Sequence, residues 1–445
     1  MLRRLIGAFG LVLALAACGG GGSSSSPSAA SSSPGSSTGS STGTTPALTN
    51  FATVVVDGGP SSLQTGPKGY ISGNVAYVTI TLCAPGSATN CQTIDHVQVD
   101  TGSVGLRIPQ AVLSSSLLAA LGSETDTSGN PVGECYQYVD GYLFGSVKLA
   151  DFTIGGEKVS AMPIQVAGDT GVFATTPASC SAKAGTDLSS VYALGANAII
   201  GIGTDATDCG AACATAGGEG AGFYFDCPAS GCSAIIARAA NTSAPFQQLP
   251  NPVAAFATDN NGTILSLPTP ASGGQASLTG TLYFGIGTQT NNGLGSATVL
   301  TTTTSTSAAG SGLITAVYNG VNLPDSFLDS GSSIYFFVDA SIPTCTTTAD
   351  KGYYCPPTPL ALSPVLKGQN GASASAAFTL YNGDSLLNTN YAVLPGLGGN
   401  PNALSLANPY PNSFDFGLPF FFGRNVFTAI EGRQAGTTAG PYYAY

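Results

Sequence analysis

The stretch DHVQVDTGSVGLRIP, residues 95–109, decides the reading of this chain. Alternating β-formers lead straight into Asp100-Thr101-Gly102-Ser103, a turn that carries an acid and hydroxyls. A second stretch, DSFLDSGSSIYFF at residues 325–337, repeats the form around Asp329-Ser330-Gly331-Ser332. One such turn means little in a chain with 60 glycines, but two pose a question about chemistry.

Each acid stands where an expected strand ends in a turn. Gly102 and Gly331 let the backbone fold back and aim amides at the carboxylates. Thr101 and Ser330 offer hydroxyls that can cross to the other half. Brought together, Asp100 and Asp329 could not both ionise readily, because like charges about 3 Å apart force one acid to keep a proton. One then acts as base on a water while the other protonates the attacked carbonyl. An apolar-apolar-Gly element follows each turn at a similar distance, NAIIGIG at 197–203 and PFFFGRNVF at 419–427. Asp100 lies 101 residues before Gly201, and Asp329 lies 94 before Gly423. This spacing predicts an internal pseudo-repeat, two lobes each giving one Asp to a shared cleft.

The rest of the composition agrees with that frame. A chain of 445 residues with 43% hydrophobic and only 8% charged residues can build a large core, and its Gly, Ser and Thr content suits an all-β protein with many tight turns. A net charge of -11 argues against nucleic acid as a partner. The N-terminus, MLRRLIGAFGLVLALAAC, has a basic start and a short apolar run, as an export signal does. LAAC resembles the lipobox of bacterial lipoproteins, which implies lipidation of Cys18, and Gly19 after it resembles lipoproteins sent to the outer membrane. Residues 19–50 are Ser/Gly-rich and are expected to form a disordered tether. Ten further cysteines in an exported chain predict disulfides. Cys83 with Cys91 and Cys345 with Cys355 could close hairpin loops, while the four between 209 and 232 have several possible pairings.

His96 is the only histidine, so Ser-His-Asp and Cys-His sites would depend on a residue placed on an apparent strand, and a two-His metal motif cannot be built. No phosphate-cradling glycine motif follows a strand. Carboxylates, tyrosines and hydroxyls remain as the chemical groups. A carboxylate-pair glycosidase would need its acids about 5–10 Å apart, whereas facing turns predict a closer pair.

At this point the chain resembles the pepsin-like aspartic proteases from about Tyr70 onward. GNVAYVTITLCAPG looks like the family's opening strands, IIGIG like the apolar segment beside the first turn, GTLYFGIGT at 280–288 like the opening of the second lobe, and GLPFFFGRNVFTAIEG like its closing segment. The resemblance implies an all-β, bilobal fold with two related lobes of mostly antiparallel strands around a central cleft. It implies Asp100 and Asp329 as catalytic acids, Thr101 and Ser330 as crossed hydroxyls, and Ser103 and Ser332 as partners of the outer carboxylate oxygens. It also implies a flap. CYQYVDGYLFGSVKLADFTIGG, residues 135–156, reads as strand, turn and strand, with Tyr138 as the flap tyrosine and Tyr136 or Tyr142 as alternatives.

The family places a Trp shortly after the first motif. This chain has none, and Arg107 stands there, facing either the dyad or solvent. The expected division is a signal peptide at 1–18, the tether at 19–50, an N-terminal lobe with flap and Cys-rich insertion at 51–250, and a C-terminal lobe at 251–445. The expected activity is aspartic endopeptidase action on extended polypeptides by a lipid-anchored envelope monomer, without metal or organic cofactor. The alternative is an inactive relative that binds a peptide or glycan in the cleft.

Overall fold

The computed structural model describes residues 49–65, 70–126, 128–181, 185–210, 213, 223–235, 248–307, 310–404 and 412–445. The leader, Cys18, most of the tether and parts of 205–232 and 301–312 lie outside the described residues.

The fold is all-β and two-lobed, with a few short helices such as Ser115–Ala120. In the first lobe, strand Cys91–Asp100 pairs antiparallel with Ala76–Cys83 and parallel with Ala198–Ile202. Ala198–Ile202 also pairs antiparallel with Val104–Pro109, so it threads between the two arms of the turn at 101–103. Both faces of these strands are covered. Val97, Val99, Leu106, Ile108 and Ile200 are each fully buried, which is why the sequence reads as apolar runs there. Each such side chain stabilises the site's platform by about 1.5–3 kcal/mol.

The second lobe repeats the device. Asp415–Phe416 lies parallel to Val321–Leu328 and antiparallel to Tyr335–Phe336, again between the arms of the turn at 329–332. Its core is aromatic, with Phe337, Phe414 and Phe416 stacked in series. A third group of antiparallel strands joins the lobes. Phe51–Val56 pairs with Leu278–Phe284, which pairs with Gly262–Leu267, followed by Arg424–Ala429, Tyr442–Ala444 and Val299–Thr301.

Two readings of local structure change. The Asp329 turn aligns with Gly417 rather than Gly423, because the parallel register pairs Phe327 with Asp415 and Leu328 with Phe416, as Val99 pairs with Ile200 and Asp100 with Gly201. A Cβ on Gly417 would lie 2.6 Å from the Ser332 carbonyl oxygen, just as one on Gly201 would lie 2.7 Å from Ser103, so neither position admits a side chain. GLPFFFGRNVF is instead a short helix, Leu418–Phe421, and the start of strand Arg424–Ala429. Five disulfides are formed: Cys83–Cys91, Cys135–Cys180, Cys209–Cys213, Cys227–Cys232 and Cys345–Cys355.

Candidate active site

The two turns meet between the lobes, and their side chains interlock. The Thr101 hydroxyl accepts from Ser330 N–H at 2.9 Å and donates to the Leu328 carbonyl at 3.2 Å. The Ser330 hydroxyl accepts from Thr101 N–H at 3.1 Å and donates to the Val99 carbonyl at 2.8 Å. Every donor and acceptor in this cross is buried, so each half satisfies the other's backbone. Gln98 Nε2 adds a bond to the Gly331 carbonyl at 3.0 Å.

The cross brings Asp100 and Asp329 together. Their carboxyls are in hydrogen-bond contact, and neither residue has any exposed surface. Gly102 N–H donates to Asp100 Oδ1 at 2.8 Å, and Gly331 N–H donates to Asp329 Oδ1 at 2.7 Å. Ser103 donates to Asp100 Oδ2, and Ser332 donates to Asp329 Oδ2 at 2.9 Å. Glycine is required for this approach. A Cβ on Gly102 would lie 2.6 Å from Asp329 Cγ, and one on Gly331 would lie 2.7 Å from Asp100 Cγ. Contact at this range does not fit the separation a glycosidase pair needs.

The environments of the two acids differ. Burial pushes the Asp100 carboxyl up, while Ser103, Asp329, Gly102 and the more distant charge of Arg107 pull it back. Burial pushes Asp329 up further, and the charges of Asp100 and Asp415 add to the rise. One acid of such a pair ionises while the other keeps its proton, which is the arrangement needed to activate a water on one side and protonate a carbonyl on the other.

Arg107 is buried in the first lobe and paired with other acids. Its Nη2 lies 2.5 Å from Glu134 Oε1 and 3.3 Å from Asp208 Oδ2, Nη1 donates to the Val104 carbonyl at 2.7 Å, and the guanidinium stacks 3.4 Å from the Tyr136 ring centroid. Tyr224 donates to Asp208 at 2.8 Å and accepts from Leu249 N–H at 2.8 Å. Burial first, then the charge of Glu134, pushes the Asp208 carboxyl well above its usual range. Arg107 thus fastens the hairpin strand Val132–Gln137 to the first turn by charge and stacking.

The hairpin itself is Val132–Gln137 and Gly141–Ile154, closed by Tyr138 N–H to the Gly141 carbonyl at 2.7 Å. Tyr138 is buried among Val75, Tyr77, Leu143, Leu188 and Ile199. Tyr136, not Tyr138, lines the cavity beside the first turn, together with Gly102, Ser103, Asp205 and Ser311. Tyr142 is half-buried on the next strand. Asp205, Glu134, Asp208 and Asp415 were not singled out from sequence. Asp415 could have been found by setting FDFG under AIIG, since both place a Gly two residues after the differing position.

No curated protein matches the sequence. Among solved structures, the chain is similar to the crystal structure of an aspartic proteinase from Irpex lacteus, at 14% identity and a TM-score of 0.49, covering 88% of this chain and 96% of that one. Residues 46–445 match the family described as "Protein of unknown function (DUF3443)", and to that family the chain belongs.

Proposed function

We propose that the chain is an aspartic endopeptidase of the cell envelope, in which Asp100 and Asp329 activate a water against a peptide bond of an extended polypeptide. The observation that carries this reading is the contact between the two carboxyls, each with one oxygen held by a glycine N–H and the other by a serine hydroxyl. The ionised acid takes a proton from water, the protonated acid gives one to the carbonyl oxygen, and the resulting diol collapses as the C–N bond breaks, the amine nitrogen taking a proton from the first acid while a diol hydroxyl returns one to the second. The reaction calls for no metal or organic cofactor. Export is supported by the leader and by five disulfides, and the reading includes a lipid on Cys18, a tether to the outer membrane and a monomeric enzyme.

The test is cleavage of quenched peptide libraries across acid and neutral pH. Asp100→Asn and Asp329→Asn should each lower the rate by about 10²–10⁴-fold while the protein still unfolds in a single cooperative transition, and a statine-type inhibitor should block the wild type. Cleavage retained in both variants discards the reading.

A second reading, an inactive protein that binds a peptide or glycan, is favoured by one observation. Both acids are fully buried, and Arg107 holds the hairpin strand down through Glu134 and Tyr136. Saturable binding of a peptide that survives intact would support it.

A further inference from the structure

A cavity of about 50 Å³ opens between the lobes beside the acid pair, with room for a few waters or one slender chain. Gly102 and Ser103, which hold the two oxygens of Asp100, form part of its wall, and Tyr136 of the hairpin and Phe327 of the second lobe also line it. Two carboxyls face it. Asp208 is already paired with Arg107 and Tyr224. Asp205 differs: its Oδ2 accepts from the Ser311 hydroxyl, while its Oδ1 is shut off from solvent and accepts from no donor. Among the described residues no Lys, Arg or His forms an ion pair with it, and the charge that acts on it is that of another acid, Glu431. The backbone around it is pinned from both lobes. Asn251 Nδ2 donates to the Gly203 carbonyl at 2.9 Å and to the Asp205 carbonyl at 3.1 Å, and Glu431 N–H donates to the Thr204 carbonyl at 2.7 Å. The carboxyl therefore has a fixed place in the wall. A buried carboxylate oxygen without a donor is costly, and a cation entering the cavity offsets that cost.

We propose that this cavity receives a lysine side chain of the polypeptide substrate, whose ammonium donates to Asp205 Oδ1, so that cleavage is directed to bonds flanked by lysine. The word substrate rests on the endopeptidase reading, but the recognition of the cation does not. Lysine fits the site better than arginine. A guanidinium pairs best with both oxygens of one carboxylate, and here the Ser311 hydroxyl occupies Oδ2. An ammonium needs only one oxygen of the acid and finds a further acceptor in the lone pairs of that hydroxyl. Val104, Leu313 and Phe327 offer apolar wall to the methylene stem. Burial, opposed by the Ser311 hydroxyl and aided by the charge of Glu431, raises Asp205 to about 6, which leaves it charged at neutral pH. Tyr136 and Tyr443, which share the wall, are neutral there, both held up by burial.

The test compares peptides that differ only in one amine. Full-length protein at neutral pH is given quenched peptides in matched pairs, with lysine or norleucine beside the scissile bond, and the cut bonds are read by mass spectrometry. The lysine peptide should be cut with a kcat/KM about 10–100-fold higher, the worth of a hydrogen bond to a charged group, and in Asp205→Asn the ratio should fall to about one. Fluorescence anisotropy of the same pairs gives the binding ratio without any cleavage. Norleucine cut as fast as lysine by the wild type, or a lysine preference that survives in Asp205→Asn, overturns the proposal and leaves the endopeptidase reading in place. Lysine-dependent binding of peptides that stay intact, lost in Asp205→Asn, upholds the cation site and removes the endopeptidase reading instead. Neither cleavage nor a difference in binding overturns both. The wild-type comparison decides the matter even where the variant fails to fold.

Discussion

Ile199 and Asp415 occupy one and the same position of the two lobes, Ile199 paired with Arg107 and Asp415 paired with Phe336. Each lobe thus buries one charge-bearing side chain near its own acid, a cation in the first and a carboxyl in the second. The pseudo-symmetry of the backbone is broken at these positions: burial raises both acids, but Arg107 draws Asp100 part of the way back while Asp415 pushes Asp329 further up. Pairs of titratable groups whose surroundings separate them are the usual mark of an acid and a base.

The crossed hydroxyls hold the lobes together, so their loss should appear as stability before it appears as chemistry. Ser330→Ala leaves the Thr101 N–H and the Val99 carbonyl buried without partners, at a cost of about 1–3 kcal/mol for each group. Ser330→Thr keeps the hydroxyl and copies the first lobe, so it should stay within about 1 kcal/mol of wild type. Urea unfolding separates the two variants. Equal midpoints for Ser330→Ala and wild type would mean that the cross contributes nothing.

Much of this architecture was legible in the sequence, for a physical reason. Strands covered on both faces must be apolar, and turns in which the backbone approaches a partner's carboxyl must be glycine, so HVQVDTGS and FLDSGSS announce themselves. The disulfides formed by Cys83–Cys91 and Cys345–Cys355 were legible as close pairs, whereas Cys135–Cys180 joins residues far apart in sequence. The position of Gly417 was obscured because PFFFG imitates the apolar-Gly pattern more closely than FDFG does. What could not be read was the orientation of side chains. Arg107 sits on a strand where either face was open to it, and only the tertiary meeting with Glu134 and Asp208, 27 and 101 residues away, fixes it inward.

Removing Arg107 tests that network. Arg107→Leu strands Glu134 and Asp208 in the interior, and breaking a buried pair from one side costs about 3–5 kcal/mol. Glu134→Gln combined with Arg107→Leu removes both charges and should recover a large part of that loss. Because acid protonates the stranded carboxyls, the deficit of Arg107→Leu should shrink as pH falls. Chemical denaturation at neutral and acid pH measures both effects, and a single variant as stable as wild type at neutral pH would show that the guanidinium is dispensable.

A carboxyl pair outside the dyad gives the whole fold a preference for acid. Glu157, at the start of strand Glu157–Ala167, bonds to Asp259, in the turn before strand Gly262–Leu267. Asp259 also accepts from Thr288 and from Gln289 Nε2 at 3.1 Å, and two carboxyls bonded to each other need one proton between them, which Glu157 supplies. Burial first, then the charge of Asp259, pushes its carboxyl from 4.5 up to about 7. A folded value above the unfolded one contributes stability that is complete below 4.5 and is lost as pH rises through about 7. Asp205, raised to about 6 chiefly by burial, and both dyad acids act with the same sign, whereas Asp57, lowered by its bond to His96 against the effect of burial, acts with the opposite one. The thermal midpoint should therefore fall between about pH 5 and pH 8. Glu157→Gln keeps a donor that cannot ionise, so its midpoint should match wild type in acid and exceed it at the upper end, flattening the curve. Calorimetry of both proteins checks this: a wild-type midpoint that rises over the same interval, or a slope unchanged in Glu157→Gln, would show that the pair does not set the pH response.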